Sequence, residues 1–464
     1  MQLFHSTPVA SVFFDEPNLV SAAGLIPVLA LARRAGLGEL ADRWLTVPSD
    51  RGAHAGAKVT ALIAGMAAGA DSIDDMAVLR HGGMGKVLGA APAPSTLGSF
   101  LRAFTFGHVR QLDAVASRFL QALAADTALL GASGDDETVM VDLDDTIVEV
   151  HGHHKQGAAF GYSGVRGLNA LLATVSTQTV APVVLAQRLR KGNCGSPRGV
   201  TRLVRDALAT VRRTHLAGRP VLVRADSAFY SRTLVCAAVA AGAAVSVTVR
   251  MDPVVKRAIA AIADDAWTTI NYPQAIYDQA TGAWVSAAQV AEIPFTAFST
   301  RKPAEQVPGR LVVRRIPDLN VRAGAGQPTL FETWRFHAFF TTTDLDTVTA
   351  DKTHRRHAVI ENVHADLKNS ALAHLPSGVF TANAAWLVCA VMAFNLTRAA
   401  ATIAGTAMAK ATTATIRRKL IAVPARLATT ARRLHLHLPE RWPWAEQWSG
   451  LFHHACGPPR RPAT

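Results

Sequence analysis

The sequence predicts a mixed α/β protein with a helical N-terminal region and a β-rich insertion. Two observations predict this class. Apolar residues over 20–130 recur at helical spacing, interrupted by glycines, as in AGLIPVLALARRAGL. After GASGDDE at 131–137 the pattern changes to apolar, β-branched runs that alternate with helical stretches, which is typical of a mixed α/β layer.

The helical region, assigned to residues 1–135, ends in one long helix predicted over 95–123 and capped at Ser95 or Thr96. A shorter helix precedes this long helix, which carries Arg102 and Arg110. This arrangement is compatible with a helix-turn-helix that binds DNA, although the sequence alone favours a plain helical bundle. Arg102 is a candidate DNA contact.

The α/β layer is assigned to residues 136–250 and 335–400. Its first part reads as three strands, a helix over 199–216, a strand, a helix and a strand. Residues 251–334 contain many prolines, scattered Thr and Trp, and short β-like runs such as RLVVRRI, and they form the predicted β-rich insertion. The strand RFHAFFTTT and a helix from Asp351 then resume the layer.

Charge points to a polyanionic partner. The 464 residues are 49% hydrophobic and 18% charged, which indicates a globular chain, and the formal net charge is +14 with a pI near 10.2. Nucleic acid is the first candidate partner and an anionic membrane surface the second. The basic segment 401–464 carries ten Lys or Arg against two Glu, mixed with tryptophans. That mixture suits DNA backbone contacts and base stacking, or a solvated basic helix face.

Other classes are not indicated. We see no secretory signal, and the apolar run at 384–396 is too short to cross a bilayer comfortably, so no membrane association is expected. The four cysteines are scattered without CxxC spacing, which indicates neither a zinc site nor a disulfide framework. A cytoplasmic location fits.

The stretch VMVDLDDTIVEV at 139–150 places acidic residues in a run that otherwise reads as a buried strand. Asp142 and Asp144 share one face, because side chains alternate along a strand. Two carboxylates on one face are tolerated if they are solvated, if they pair with Lys or Arg, or if a metal cation holds them. The stretch alone leaves all three open.

Two later acids complete a candidate constellation. Asp226 stands at the end of the strand in PVLVRADSAFY, where α/β sheets place their sites, although it also suits a helix cap. Glu361 lies in a predicted helix whose polar face carries His354, His357, Glu361, His364 and Lys368. Three converging carboxylates repel unless divalent cations neutralise them, and Mg²⁺ prefers oxygen ligands.

The chain resembles the DDE-type transposases of bacterial insertion sequences, which have a ribonuclease H-like catalytic domain. The resemblance lies in VDLDDTIVEVHGHHKQGAAFGYSGVRGLNALLAT, LVRADSAFYS and HAVIENVHADLKN. It implies that Asp144, Asp226 and Glu361 are the catalytic ligands of two Mg²⁺ or Mn²⁺ ions, with Asp142 as the fallback for Asp144, and that Lys368 holds phosphate. It also implies cut-and-paste transposition by a nucleoid-associated homodimer that binds double-stranded DNA at the transposon ends and the target.

The sequence departs from one subgroup of that family. His354 and His357 stand where the subgroup carries Tyr and Arg, so Arg355 and Arg356 are candidate phosphate contacts, together with His357. The long gap before Glu361 resembles the subgroup with a β-rich insertion and a hairpin intermediate. There a tryptophan receives a flipped base, for which Trp267 and Trp284 are candidates and core packing is the alternative. A nuclease that cleaves without joining and an inactive DNA-binding relic remain alternative functions.

Overall fold

The computed structural model describes residues 11–48, 54–131, 138–177, 180–278, 283–317, 334–431 and 433–457, without the side chains over 272–286. Residues 132–137 of the predicted boundary and the side chain of Trp284 therefore lie outside the described part.

Helices dominate the N-terminal region, as the apolar spacing predicts. A short strand and, among the described residues, six α-helices follow one another: β1 (Leu19–Val20), α1 (Leu25–Arg34), α2 (Leu37–Trp44), α3 (Ala55–Ala68), α4 (Met84–Leu88), α5 (Pro94–Arg102) and α6 (Phe106–Asp126). The single helix predicted over 95–123 is wrong, because the chain turns at 103–105. Thr105 caps α6 through its side chain, which accepts from the backbone N–H of His108, while the His108 ring accepts from the N–H of Thr105.

One mixed sheet forms the centre of the protein. Its strands are β2 (Val139–Glu149), β3 (Ala159–Phe160), β4 (Arg166–Ser176), β5 (Val183–Lys191), β6 (Val221–Ala225), β7 (Ala244–Thr248), β8 (Thr268–Asp278), β9 (Ala283–Ala297), β10 (Val307–Pro317) and β11 (Trp334–Thr341). Helices α7 (Val200–Val211) and α8 (Arg232–Ala240) follow β5 and β6, which matches the predicted order except for the short β3.

The strand order along the sheet is β3-β4-β2-β6-β7-β11-β10-β9-β8, and β5 also pairs with β4. The strands β2, β4 and β5 are antiparallel, whereas β2, β6 and β7 are parallel. The predicted β-rich insertion begins with α9 (Pro253–Ala260) and continues into β8, β9 and β10. These strands do not form a separate sheet, because β10 pairs with β11 and β11 pairs with β7.

The remaining elements follow β11. They are α10 (Thr347–Arg355), α11 (Val359–Lys368), α12 (Phe380–Ile403), α13 (Thr406–Ala409), α14 (Thr413–Ile416), β12 (Ala425–Thr430), β13 (Arg433–His437) and α15 (Ala445–Cys456). The helix predicted from Asp351 therefore begins earlier, and a 3₁₀ turn over Arg356–Ala358 divides it in two.

Helix α12 is the hub of the core. Its 24 residues have a mean hydropathy of 1.5 over the most apolar window, which is long and apolar enough for a membrane span, yet 89% of that window is buried within the protein. It packs against α3, α6 and β5. The Asn395 side chain exchanges two hydrogen bonds with the backbone of Val184 in β5, at 3.0 and 2.8 Å, which fixes the helix on the sheet.

Helix α6 is not available as a DNA-recognition helix. It lies between α12 and β5, and only Phe106, Gly107 and Ala125 along it are exposed. A recognition helix needs an exposed polar face that enters the major groove. The plain-bundle alternative therefore fits α6, which shares its core with the α/β layer. On α5, Ser95, Thr96, Ser99 and Arg102 are exposed, so a DNA contact through this helix stays a prediction. The division at residue 135 stays a prediction.

The basic C-terminal segment folds back onto the N-terminal helices. Strand β12 pairs with β1 and with β13, and α15 packs on α1. Trp448 is 5% exposed and stacks on Phe452, while the Trp442 ring nitrogen donates to the Lys419 carbonyl at 3.1 Å. Neither predicted use of this segment, base stacking or a solvated face, describes Trp448, which is packed inside the protein, whereas Trp442 is half-buried.

Trp448→Ala should destabilise the protein by about 3–5 kcal/mol, because truncation of a buried aromatic side chain leaves a cavity. Urea denaturation monitored by far-UV circular dichroism measures the change. Arg441→Ala is the control, since that side chain is 91% exposed. A Trp448 that served only to stack on DNA would leave the unfolding free energy unchanged.

Candidate active site

The site is set by the register between β2 and β6. In this parallel pair Asp142 lies opposite Arg224, and Leu143 lies opposite Ala225. Because side chains alternate between faces, the next step on the first face brings Asp144 beside Asp226, just past the end of β6. The segments DLD and RAD have the same spacing, so one row pairs an acid with a base and the next row pairs two acids.

The row formed by Asp142 and Arg224, called the lower row, is a buried ion pair. The carboxylates beyond it, Asp144 and Asp226 with Glu361, are called the upper row. The side chains of Asp142 and Arg224 are 0% and 2% exposed. The guanidinium donates from Nε to Oδ1 at 2.6 Å and from Nη2 to Oδ2 at 2.9 Å, and Ser176 donates to the same Oδ2 at 2.7 Å. Asp142 was the fallback metal ligand, and that prediction is wrong because Arg224 neutralises its carboxylate.

Arg224 also holds the helical segment that leads to Glu361. Its Nη1 donates to the carbonyl of Thr353 in α10 at 2.5 Å. Beside it, His354 is buried, with Nδ1 2.8 Å from Ser246 Oγ and Nε2 2.9 Å from Thr248 Oγ1. Its ring stacks on Phe339 with 4.1 Å between the ring centroids.

His354 is therefore a neutral packing residue. Burial, followed by the charges of His357 and Arg224, holds its pKa well below the usual range. The predicted polar stripe is wrong at this position. It assumed one continuous helix, and the 3₁₀ turn after α10 rotates His354 into the core.

The upper row contains the carboxylates that no arginine neutralises. Burial raises the pKa of Asp144 to about 7, with help from the charges of Asp226, Asp145 and Glu361 and against the hydrogen bond from the Asp145 N–H, which lowers it. Burial also raises the pKa of Asp226, with a contribution from Asp145. Glu361 is exposed in the first turn of α11. The structure thus brings Asp144, Asp226 and Glu361 close enough to interact electrostatically.

Asp226 combines both roles that its sequence context allows. Its Oδ1 accepts from the N–H of Ala228 at 3.0 Å and caps a short 3₁₀ turn.

Asp145 points to the opposite face of β2, where it forms an ion pair with Arg190. Arg190 is also held by Asn169, whose side-chain oxygen accepts from Nε at 2.9 Å.

Two predicted basic residues lie beside the carboxylates. Lys368 is exposed, and its Nζ donates to Thr146 Oγ1 at 3.3 Å, on the same β2 face as Asp144. His357 donates from Nδ1 to the His354 carbonyl at 2.6 Å, and its charge acts to lower the pKa of Asp226. Both are close to where a phosphate would meet the acids.

The other predicted DNA contacts are Arg355, Arg356 and Arg102. Arg355 forms an ion pair with Asp351 at 2.9 Å, and Arg356 is exposed on the 3₁₀ turn. Arg102 is exposed at the end of α5, where it donates to Ser99 Oγ at 3.1 Å. Within the described residues, no hydrogen bond or ion pair joins Arg102 to the carboxylates.

Trp267 is used for packing. It is half-buried, its ring lies 6.1 Å from that of Phe336, and the Arg315 guanidinium lies over it at 4.1 Å. These contacts favour the core-packing alternative for Trp267.

The donor set suits a divalent cation in its chemistry. In the described part of the chain, no group of three His, Cys, Asp or Glu side chains lies close enough to hold one metal ion. However, all three upper-row donors are carboxylates, the ligand type that Mg²⁺ prefers, and their mutual repulsion raises the Asp144 pKa. A bound divalent cation would remove that repulsion, so the chemistry of these three carboxylates fits such a cation.

Grouped carboxylates where the central strand β2 passes the end of β6, in a chain with a formal charge of +14, indicate an enzyme that acts on nucleic acid. The sequence model described as "Transposase DDE domain group 1" matches residues 5–455, and the chain belongs to this family. It is therefore a DDE transposase, an enzyme that cleaves and transposes DNA, and the resemblance seen in the motifs is confirmed at this level.

Other comparisons add little. No curated protein matches the chain in sequence. Among solved structures, a piggyBac transposase synaptic complex with hairpin DNA, determined by cryo-EM, is similar with a TM-score of 0.42 and 10% identity. The match covers 85% of this chain and 79% of that chain.

Sequence reasoning missed Arg224 and the neutral state of His354. A signal for Arg224 was present in the matching DLD and RAD spacing, which pairs Asp142 with Arg224 once the two strands are taken as parallel neighbours. The burial of His354 has no comparable signal in the sequence.

Asp142→Asn should lower the unfolding free energy by about 3–5 kcal/mol, because it leaves the buried Arg224 guanidinium without its charge partner. Chemical denaturation of the metal-free protein measures this. Asp346→Asn is the matched control, since Asp346 is a helix cap at the surface and asparagine caps equally well. Equal stability of Asp142→Asn and the wild type would contradict the assignment of Asp142 to a structural ion pair.

The stability of the metal-free protein should depend on pH through Asp144. The folded state raises its pKa from 3.8 to about 7. The folded protein therefore binds this proton more tightly than the unfolded chain, and the resulting stabilisation is complete below the unfolded pKa and lost as the pH rises through the folded one. Asp144→Asn should melt above the wild type at about pH 8, and the difference should shrink at about pH 5. Thermal denaturation in a chelator tests this, and a pH-independent difference would contradict it.

Proposed function

We propose that this transposase binds the terminal inverted repeats of a bacterial insertion sequence and catalyses metal-dependent strand cleavage and strand transfer, by cut-and-paste transposition. One observation carries the proposal. Asp144, Asp226 and Glu361 come from β2, the end of β6 and α11, and the charges of the latter two raise the Asp144 pKa.

In this proposal the three carboxylates hold Mg²⁺ or Mn²⁺, as two ions. When bound, such ions neutralise charge on the phosphate and lower the pKa of an attacking oxygen. Water is the first nucleophile and releases a 3′-hydroxyl, which is the nucleophile of the joining step. Lys368 and His357 are placed beside the acids to bind the phosphates that flank the reacting one.

A ribonuclease H-like catalytic domain is part of the proposal. The antiparallel strands β5, β4 and β2, followed by the parallel strands β6 and β7, support it. The acids lie on β2 and at the end of β6, so the central parallel pair carries the chemistry. The strands β8 to β10 enlarge the same sheet and remain candidates for contacts with the transposon end.

DNA contacts are proposed from charge and exposure. Arg356 is exposed on the turn before α11, whereas Arg355 already pairs with Asp351, so Arg356 is the better candidate for a phosphate. A homodimer on paired ends is proposed as the active assembly. Cations of the C-terminal segment would add affinity by releasing counterions.

The inactive-relic alternative rested on His354 and His357. His354 packs in the core, so its presence removes no charged group from the site. His357 still places a basic side chain near Asp226. These placements favour an active enzyme, and a nuclease that cleaves without joining is the alternative that the experiment below separates.

Asp144→Asn, Asp226→Asn and Glu361→Gln should each slow cleavage of end DNA by about a thousandfold or more, since about 4 kcal/mol of transition-state stabilisation is lost with a ligand charge. End binding, measured by mobility shift in a chelator, should be unchanged. Glu149→Gln is the matched control, because Glu149 is an exposed acid on the same strand.

The products distinguish the outcomes. Joined products in the wild type and the control support transposition, whereas cleaved ends that never join indicate the nuclease alternative. Near-normal cleavage by Glu361→Gln in Mg²⁺ would overturn the proposed site.

A further inference from the structure

A buried histidine touches the carboxylate at the centre of the site. His364 lies one turn after Glu361 on α11 and is 6% exposed. Its Nε2 is 3.5 Å from Asp144 Oδ2. Within the described residues, neither ring nitrogen forms a hydrogen bond of full geometry, although the Asp144 backbone lies near enough to interact with the ring. A buried polar group without a partner is costly, so this contact requires an explanation.

The imidazole can donate to Asp144 in either charge state, because a charged ring carries an N–H on both nitrogens. A neutral imidazole has one N–H donor and one acceptor. The nitrogen that faces a carboxylate oxygen is the one that carries the hydrogen, so Nε2–H points to Asp144.

The Asp144 carboxylate is then contacted on both oxygens. Its Oδ1 accepts from the backbone N–H of Asp145 at 2.7 Å, and its Oδ2 faces His364. Each oxygen retains a lone pair for a cation. The Nε2–Oδ2 distance is longer than a full hydrogen bond, and contacts of this kind commonly shorten when the site is loaded.

One turn after His364, the same face of α11 contacts β2 again. Glu361, His364 and Lys368 follow helical spacing, and Lys368 reaches Thr146, two residues beyond Asp144 on the same face of β2. His364 therefore lies between the exposed acid and the exposed lysine, at the point where α11 meets the strand.

We propose that His364 is a positioning residue of the active site, which orients the Asp144 carboxylate for a divalent cation by donating from Nε2 to Oδ2. This inference rests on the proposed function of Asp144. Groups that hydrogen-bond to metal ligands typically contribute 10–100-fold to metal affinity, because they fix the ligand in its binding orientation.

The test compares His364→Leu, which removes the donor, with His364→Gln, whose amide N–H can take the place of Nε2–H. Mn²⁺ binding to the full-length protein is measured by electron paramagnetic resonance, and cleavage of end DNA is measured as a function of Mg²⁺ concentration. We expect His364→Leu to bind Mn²⁺ about 10–100-fold more weakly and to need correspondingly more Mg²⁺. His364→Gln should recover most of both, and metal-free end binding should be unchanged in each.

Two results would overturn the inference. One is wild-type Mn²⁺ affinity and Mg²⁺ dependence in His364→Leu, with or without a change in thermal stability, which indicates packing alone. The other is an equal defect in His364→Gln and His364→Leu. Asp144→Asn is measured in parallel. If it still cleaves, the proposed function itself fails, and if it alone loses cleavage, only the role of His364 fails.

Discussion

The buried ion pair between Asp142 and Arg224 is the contact on which the rest of the site depends. A guanidinium in the core is tolerated only with an opposite charge in good geometry, so the pair fixes the register of β2 against β6. A slip of one residue would turn every side chain of β2 to the other face. With this register set, alternation alone brings Asp144 beside Asp226. The same guanidinium binds the Thr353 carbonyl and thereby ties the helical segment before Glu361 to the sheet.

The three aspartates of one strand show that surroundings, rather than residue type, decide the role of a carboxylate. Asp142 and Asp145 face arginines on opposite sides of the sheet and are neutralised there. Asp144 has a buried histidine and further acids as neighbours instead. Its charge is the one left for a ligand to balance. A structural scaffold and a reactive centre are thus built from adjacent residues of a single strand.

Much of this arrangement follows from the sequence. The order of strands and helices along the chain and the β-like character of the insertion come from local pattern, and the grouping of Asp144, Asp226 and Glu361 comes from the family resemblance, whereas the order of strands within the sheet does not follow from the sequence. The choice between Asp142 and Asp144 does not, because it depends on a partner 82 residues away. The burial of His354 depends on the 3₁₀ turn that interrupts the helix. The spacing of polar residues continues across this turn, so the sequence gives no sign of the interruption. Cations mixed with tryptophans look alike whether the rings stack on bases or pack in a core, so the sequence alone did not reveal the burial of Trp448. Pairing of β11 with β7, which joins the insertion to the main sheet, is likewise a long-range event.

The hub helix α12 also has a consequence for how the chain matures. Helices α3 and α6 cover their apolar faces with it, and Leu19 pairs with Arg426 across almost the whole length of the chain. Contacts this distant in sequence close slowly and late. At ribosomal speeds of about 5–20 residues per second, the first helices wait on the order of tens of seconds for their partner. During that interval they are natural clients for chaperones. A chain that stops before α12 would leave these faces exposed to proteases. Shortened copies would therefore be degraded, and few would remain to compete with the complete enzyme.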